Sequence, residues 1–498
     1  MLLVTGSYGP RRPQERALVT RLVNTMPARP IFIGGTGSHV GKSWVATALC
    51  RYLYRMGHRV APFKAQNMSN NSMACAGGGE IGRAQAAQAE ACGLQPHPDM
   101  NPILLKPTGS LGSQVVLNGK PWRNLRAAEY YDHFDFLLEN ALASYSRLAA
   151  KYDMIVIEGA GSVSELNLKH RDLVNLGLAS RLRAPAILVA DIDRGGVFAS
   201  VIGTFHLLDE TESPLVRSFL INRFRGDQTL FQDGVAILEQ QTKRRCLGVF
   251  PFVDNIHLDA EDSVSLEKSP RTTDSRIAII RLPHISNFTD FRLMPFAVYL
   301  TAPAEEQFDF IFLPGTKSTI EDMLWLRSSG MERWLLDQVQ RGARVIGVCG
   351  GFQMLGEEIV DPHAIESTVR EIRGIGLVPA RTRLSHEKIT RTVAARTPSG
   401  IRFEAYEIHM GITVLADGSQ PFAVLPNDIP DGIRLRHAVG TYLHGALENK
   451  AVLEEVLGHS LPESCVSDKD AEYDRLADWF AEHVNHEVLL GEYLEPRN

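Results

Sequence analysis

A short apolar run, Ile31-Phe-Ile33, leads into Gly35-Thr-Gly-Ser-His-Val-Gly-Lys-Ser43, and a helical stretch from Trp44 to Met56 follows. A buried strand, a glycine-rich turn and a helix opening with Lys-Ser are what a phosphate-binding loop requires. Backbone N–H groups and the helix N-terminus cradle the phosphates, the lysine reaches the outer ones, and the hydroxyl ligates Mg²⁺. The expected ATP-binding positions are therefore Gly35, Thr36, Gly37, Gly41, Lys42 and Ser43. The usual spacing wants glycine at position 36. Thr36 stands there instead, and the glycine is one place earlier, at Gly35.

Such a loop commits the surrounding chain to a parallel sheet, and the flanking pattern agrees. Met154-Ile-Val-Ile157, Ala186-Ile-Leu-Val-Ala190, Phe219-Leu-Ile221 and Leu247-Gly-Val-Phe250 are continuous apolar runs separated by helical stretches. Strands of that kind are buried on both faces. A polar, proline-bearing stretch at Ser263–Ser275 reads as a linker. The rhythm then restarts with Arg276–Ile280, Phe308–Leu313 and Arg344–Val348. The expected organisation is α/β: an N-terminal extension over 1–29, disordered and with no assigned role, and a P-loop parallel-sheet domain over 30–262. The linker at 263–275 and a second α/β domain over 276–498 complete it.

Composition narrows the partners. Lys+Arg 52 against Asp+Glu 58 gives a net charge of -6, with no lysine-rich run, so neither nucleic acid nor an anionic membrane is expected. No apolar run approaches the roughly 20 residues that span a bilayer. The six cysteines are scattered without a C-x-x-C pair, against a disulfide framework or structural zinc and in favour of a reducing cytoplasm.

Glu158, in Glu158-Gly-Ala-Gly161, follows the strand Met154–Ile157 and stands where a carboxylate holds Mg²⁺ beside phosphates. Alone it reads more readily as a capping or solvated acid. Asp191, Asp193 and Arg194 follow Ala186–Ala190, either bordering the ligand crevice or forming a structural ion pair. Ser69-Asn70-Asn71 either bonds a substrate or caps a helix.

The second chemical loop is Gly347-Val-Cys-Gly-Gly351, between an apolar strand and Phe352-Gln-Met-Leu355. Gly-x-Cys-x-Gly in that context is the strained strand–turn–helix that exposes a nucleophile, here Cys349. Neighbouring N–H groups, Gly350 among them, stabilise a thiolate and an oxyanion. The partner base is His444, in Gly440-Thr-Tyr-Leu-His444, with His409 its main competitor.

The offset Gly-Thr phosphate loop resembles that of dethiobiotin synthetase and its relatives, which phosphorylate carboxylates. The resemblance supports Lys64, after Val60-Ala-Pro-Phe63, at the same crevice. The second domain resembles the class I glutamine amidotransferases, and Gly315 in Leu313-Pro-Gly-Thr316 matches their oxyanion loop. Those enzymes commonly show His-Pro-Glu, whereas this chain has His444-Gly445-Ala446, so the orienting carboxylate is missing from its expected place.

Both domains in this order are similar to a group of amidating enzymes of the cobalamin pathway. Seven segments match the branch that makes adenosylcobyric acid: Phe63–Ser72, Asn167–Asn175, Asp191–Phe198, Ile221–Asp227, Leu258–Asp262, Ile285–Phe291 and Pro314–Thr319. The resemblance implies ATP- and glutamine-dependent amidation of the b, d, e and g carboxylates of adenosylcobyrinic acid a,c-diamide. It implies Mg²⁺ without a tightly bound prosthetic group. It adds Asn222 to the ATP-binding set, and Gln66 and Asn67 to Lys64, Asp191, Asp193 and Arg194 as contacts to substrate or phosphate. Two other readings stay open: a related ligase such as cobyrinic acid a,c-diamide synthase, or a P-loop switch protein whose cysteine domain is vestigial.

Overall fold

The computed structural model describes residues 28–108, 112–259, 276–463 and 468–495. The expected extension lies outside them except for its last residues, where Arg29 already opens the first strand, and the expected linker 263–275 lies outside altogether. Among the described residues no helix is long and apolar enough to cross a membrane.

The described residues divide into two compact units. The first gathers residues up to 63, then 138–253, and the chain from 477 onward. Its core is a six-stranded sheet in the order Arg245–Pro251, Val216–Phe224, Ala186–Asp191, Arg29–Gly35, Met154–Glu158, Val60–Phe63. Every neighbouring pair is parallel. Ile31, Phe32, Ile33, Ile155, Ile157, Ile187 and Val189 are fully buried, as strands covered on both faces require. The last residues close this sheet's far edge: Tyr493 donates to the Ala186 carbonyl at 2.9 Å, and Asn485 N–H to the Leu247 carbonyl at 2.7 Å.

The second unit gathers 64–137 and 254–476. Its main sheet runs Val298–Leu300, Ile277–Ile280, Phe310–Leu313, Arg344–Val348, Ala438–Thr441, Ile433–Arg434. The first five strands are parallel and the last antiparallel. A long antiparallel ribbon, Ala380–Arg396 with Arg402–Leu415, stands in a second sheet.

Spatial packing thus cuts across the expected linear division, in which 64–137 belonged with the phosphate loop and 477–498 with the cysteine domain. The short strands Ser72–Ala74 and Glu80–Gly82 carry no run of apolar residues long enough to mark a strand. Ala74 and Met73 bury instead against Tyr406 and Ile408 of the ribbon. A rhythm read along the chain carries no trace of such a long-range contact.

Candidate functional sites

In the first unit, strand Arg29–Gly35 hands over to helix Lys42–Arg55 through the phosphate loop. Gly41 has φ 99°, and a Cβ there would lie 2.1 Å from Asn222 Nδ2, so only glycine fits. Asn222, near the end of strand Val216–Phe224, two strands away, donates to the Val40 carbonyl at 2.9 Å and pins the loop. Lys42 is buried and donates to the carbonyls of Gly37 at 2.9 Å and Gly161 at 2.8 Å. An ammonium aimed at loop carbonyls sits where outer phosphates would take over those bonds. Ser43 Oγ donates to Glu158 Oε1 at 2.7 Å, and Glu158 is only 1% exposed. Glu158 is therefore no solvated surface acid. Asn175 holds the turn after it, accepting from Ala160 N–H at 3.0 Å and donating to the Ala160 carbonyl at 2.7 Å.

Asp191 pairs with Arg223 at 2.8 Å, with Arg194 farther off at 3.7 Å, while Asp193 pairs with Arg225 at 2.6 Å. These acids thus take part in ion pairs at the same sheet end. Lys64, Gln66 and Asn67 fall in the second unit. Lys64 is buried, Gln66 accepts from the Tyr130 hydroxyl, and Asn67 donates to Gln85 Oε1 at 3.0 Å.

The second unit holds the cysteine elbow. Cys349 has φ 53° and ψ −110°, the strained conformation expected of a nucleophile between strand Arg344–Val348 and helix Gly350–Leu355. A Cβ on Gly351 would lie 1.9 Å from the Leu313 carbonyl oxygen, which explains the second glycine. Gly350 abuts Thr316, and Gly315 lies against the His444 ring.

His444 Nδ1 lies 2.7 Å from Asp290 Oδ2, both groups are buried, and Gly445 N–H donates to Asp290 Oδ1 at 2.7 Å. Burial alone would push His444 down. The carboxylate of Asp290 and the hydrogen-bonded Cys349 outweigh it and raise the imidazole to about 10. Cys349, His444 and Asp290 are arranged as a nucleophile, a base and an orienting carboxylate would be. The carboxylate absent from its place after His444 comes from 154 residues upstream. His409 is engaged elsewhere, with Nδ1 2.8 Å from the Gly411 carbonyl and its ring stacked on Tyr442.

Asp290 sits in the short turn Phe288–Phe291, entered through Asn287 at φ 53°. Asn71 Oδ1 accepts the Asn287 N–H at 2.7 Å, and Asn287 Oδ1 accepts the Ser72 N–H at 2.9 Å. Segment 64–137 thereby clamps the turn that carries the triad carboxylate. Of Ser69-Asn70-Asn71, expected to bond a substrate or cap a helix, Asn71 makes this clamp, and Ser69 Oγ accepts the Asn71 N–H at 3.0 Å. The one sequence signal for Asp290 was an acid set between aromatics, Phe288-Thr-Asp-Phe291, since a buried carboxylate demands a partner.

A phosphate loop with a buried carboxylate at its serine, and a cysteine–histidine–aspartate cluster at a strained elbow, suit a glutamine-dependent, ATP-using amidating ligase. The comparisons agree domain by domain. Residues 276–452 match the CobB/CobQ-like glutamine amidotransferase domain, and residues 31–266 the CobQ/CobB/MinD/ParA nucleotide binding domain. The chain is 43% identical over 499 residues to the cobyric acid synthase of Syntrophobacter fumaroxidans, covering 92% of this chain and 97% of that one. It is 44% identical to that of Parabacteroides distasonis, covering 93% and 98%, and 43% identical to that of Synechocystis, also covering 93% and 98%. The chain belongs to the cobyric acid synthase family.

Proposed function

We propose that this chain amidates the b, d, e and g carboxylates of adenosylcobyrinic acid a,c-diamide to give adenosylcobyric acid, using ATP, Mg²⁺ and glutamine in the cytoplasm. The observation that carries the reading is that Lys42, Ser43 and Glu158 converge at the phosphate loop while Cys349, His444 and Asp290 converge at the elbow. The family membership supplies the substrate.

A carboxylate is a poor electrophile until one oxygen becomes a leaving group. Lys42 holds the outer phosphates while a substrate carboxylate oxygen attacks the terminal phosphorus, and ADP departs with the broken P–O bond. The product is an acyl phosphate. The donor set fits a hard cation: a hydroxyl and a buried carboxylate side by side at a helix start. Ser43 and Glu158 would hold Mg²⁺, which when bound neutralises charge on the phosphates. Thr36 and Asn222 shape the loop. Lys64, Gln66, Asn67, Asp191, Asp193 and Arg194 are assigned to substrate or phosphate contacts.

At the elbow, the Cys349 thiolate attacks the side-chain carbonyl of glutamine. The oxyanion is met by the N–H groups of Gly315 and Gly350. His444, charged and held by Asp290, gives its proton to the departing ammonia. Water, deprotonated by His444, then hydrolyses the thioester to glutamate and free thiol. The ammonia displaces phosphate from the acyl phosphate. The test is incubation with ATP, Mg²⁺, glutamine and the a,c-diamide, followed by mass spectrometry. The b, d, e and g groups should convert stepwise from acid to amide. Conversion only of the a,c groups of the unamidated corrinoid would refute the assignment.

A further inference from the structure

The cavity in front of Cys349 holds more charge than a thiol and its imidazole need. Lys106, Lys317, Lys388 and Glu366 all line it, with Gln353 and His409 between them. The lysines arrive by separate routes. Lys106 comes on strand Ile103–Pro107 of segment 64–137, and Lys317 follows the loop at Gly315. Lys388 comes from a bulge in the ribbon, where the register slips between Leu384 and Ile389 and frees that side chain from the ladder.

Behind the wall, the fully buried Glu80 accepts from Lys106 Nζ at 2.9 Å and also from Lys388 Nζ. Ser72 Oγ completes the knot, donating to Glu80 at 2.9 Å and accepting from Lys106 at 2.8 Å. One carboxylate thus serves two lysine side chains. Among the described residues neither Lys317 nor Glu366 closes into a contact ion pair, although each is the other's main charge partner; Glu366 Oε2 accepts the Thr319 N–H at 2.9 Å. Burial lowers Lys317, brings Lys388 down to about 7 and raises Glu366, so each is held against a desolvation cost. The cavity therefore holds an ammonium, Lys317, and a carboxylate, Glu366, that attract each other without closing into a contact ion pair.

We propose that this cavity seats the zwitterionic end of a free amino acid: Lys317, backed by Lys106 and Lys388, takes the α-carboxylate of glutamine and Glu366 takes its α-ammonium. The side-chain amide is then directed at Cys349. The inference rests on the glutaminase reading above and adds a substrate requirement. Free glutamine is accepted, while its α-amide or a glutaminyl residue in a peptide lacks the carboxylate that the half-buried Lys317 would take. It also means that segment 64–137 supplies part of the glutamine site, through Lys106 and Glu80.

The test compares hydrolysis of L-glutamine and L-glutamine α-amide by the full chain, with Cys349 alkylation by neutral iodoacetamide as a check on the thiol. The wild type should prefer L-glutamine by at least about 100-fold in kcat/KM. Lys317→Met should raise the glutamine KM by about tenfold or more and collapse that preference, with a smaller change in kcat and unchanged alkylation. Lys317→Arg should restore most of it. Glu366→Gln should raise KM as well and, should Lys317→Met fold poorly, carries the test alone. Unchanged KM and preference in the variants would overturn the proposal. So would a lower kcat with slowed alkylation at constant KM, because the lysine would then act on the thiolate. A wild type that hydrolyses no glutamine would overturn the glutaminase reading instead.

Discussion

Asp290 Oδ2 stands 2.7 Å from His444 Nδ1, and both side chains are 1% exposed. A buried imidazole loses its charge unless a carboxylate holds it, and this carboxylate does. Asp290→Asn should therefore lower glutamine hydrolysis by about 100-fold or more while leaving amidation by added ammonia intact. The alkaline limb of glutamine hydrolysis, expected near pH 10 in the wild type, should move to lower pH in the variant. Paired pH–rate profiles with the two nitrogen donors check it. A variant with a wild-type profile would remove Asp290 from the triad.

The same pair makes stability depend on pH. His444 is raised from 6.5 to about 10, so its contribution is fully present below 6.5 and is lost as pH climbs through about 10. The stability gap between wild type and Asp290→Asn should be about 3 kcal/mol at pH 6 and shrink towards pH 10. Urea melts across that range measure it. A gap that widens with pH would contradict the charge pairing.

Cys349→Ala should abolish glutamine hydrolysis and leave ATP-dependent amidation by high ammonia largely intact, since the two loops lie in different units. Backbone strain adds a second expectation. Because residue 349 sits at φ 53°, Cys349→Gly should be more stable than Cys349→Ala by about 1 kcal/mol. Thermal melts of the two variants compare them directly.

Lys42→Ala should lose amidation with either nitrogen donor, because carboxylate activation precedes nitrogen attack. Glu158→Gln should do the same, relieved in part by excess Mg²⁺. Glutamine hydrolysis measured alongside shows whether the elbow remains folded. Near-normal ammonia-dependent activity in Lys42→Ala would refute its role.

The phosphate loop and the elbow are legible in the sequence because each is a local device: a strand, a turn and a helix start within one short stretch. Their glycines report backbone needs that Gly41 and Gly351 meet in the structure. The parallel strands are legible for the same reason, as runs buried on both faces. What pairs at long range is not. Asp290 looks like any acid in a loop until His444 arrives from 154 residues away, and Glu80 meets Lys388 across 308 residues. The packing of 64–137 with the cysteine elbow is hidden likewise, because its short strands have ordinary composition and their partners lie in the distant ribbon.

That interleaving of the chain bears on how the molecule is made. On a ribosome the phosphate-loop sheet has all six of its strands by Pro251, yet Tyr493 still has to reach Ala186, and Asn485 to reach Leu247. Meanwhile Asn71, Ser72, Glu80 and Lys106 emerge early and wait for Asn287 and Lys388. Neither unit can finish before most of the chain has been synthesised. Cutting the gene at the polar stretch 263–275 would give two products that each lack pieces of their own core.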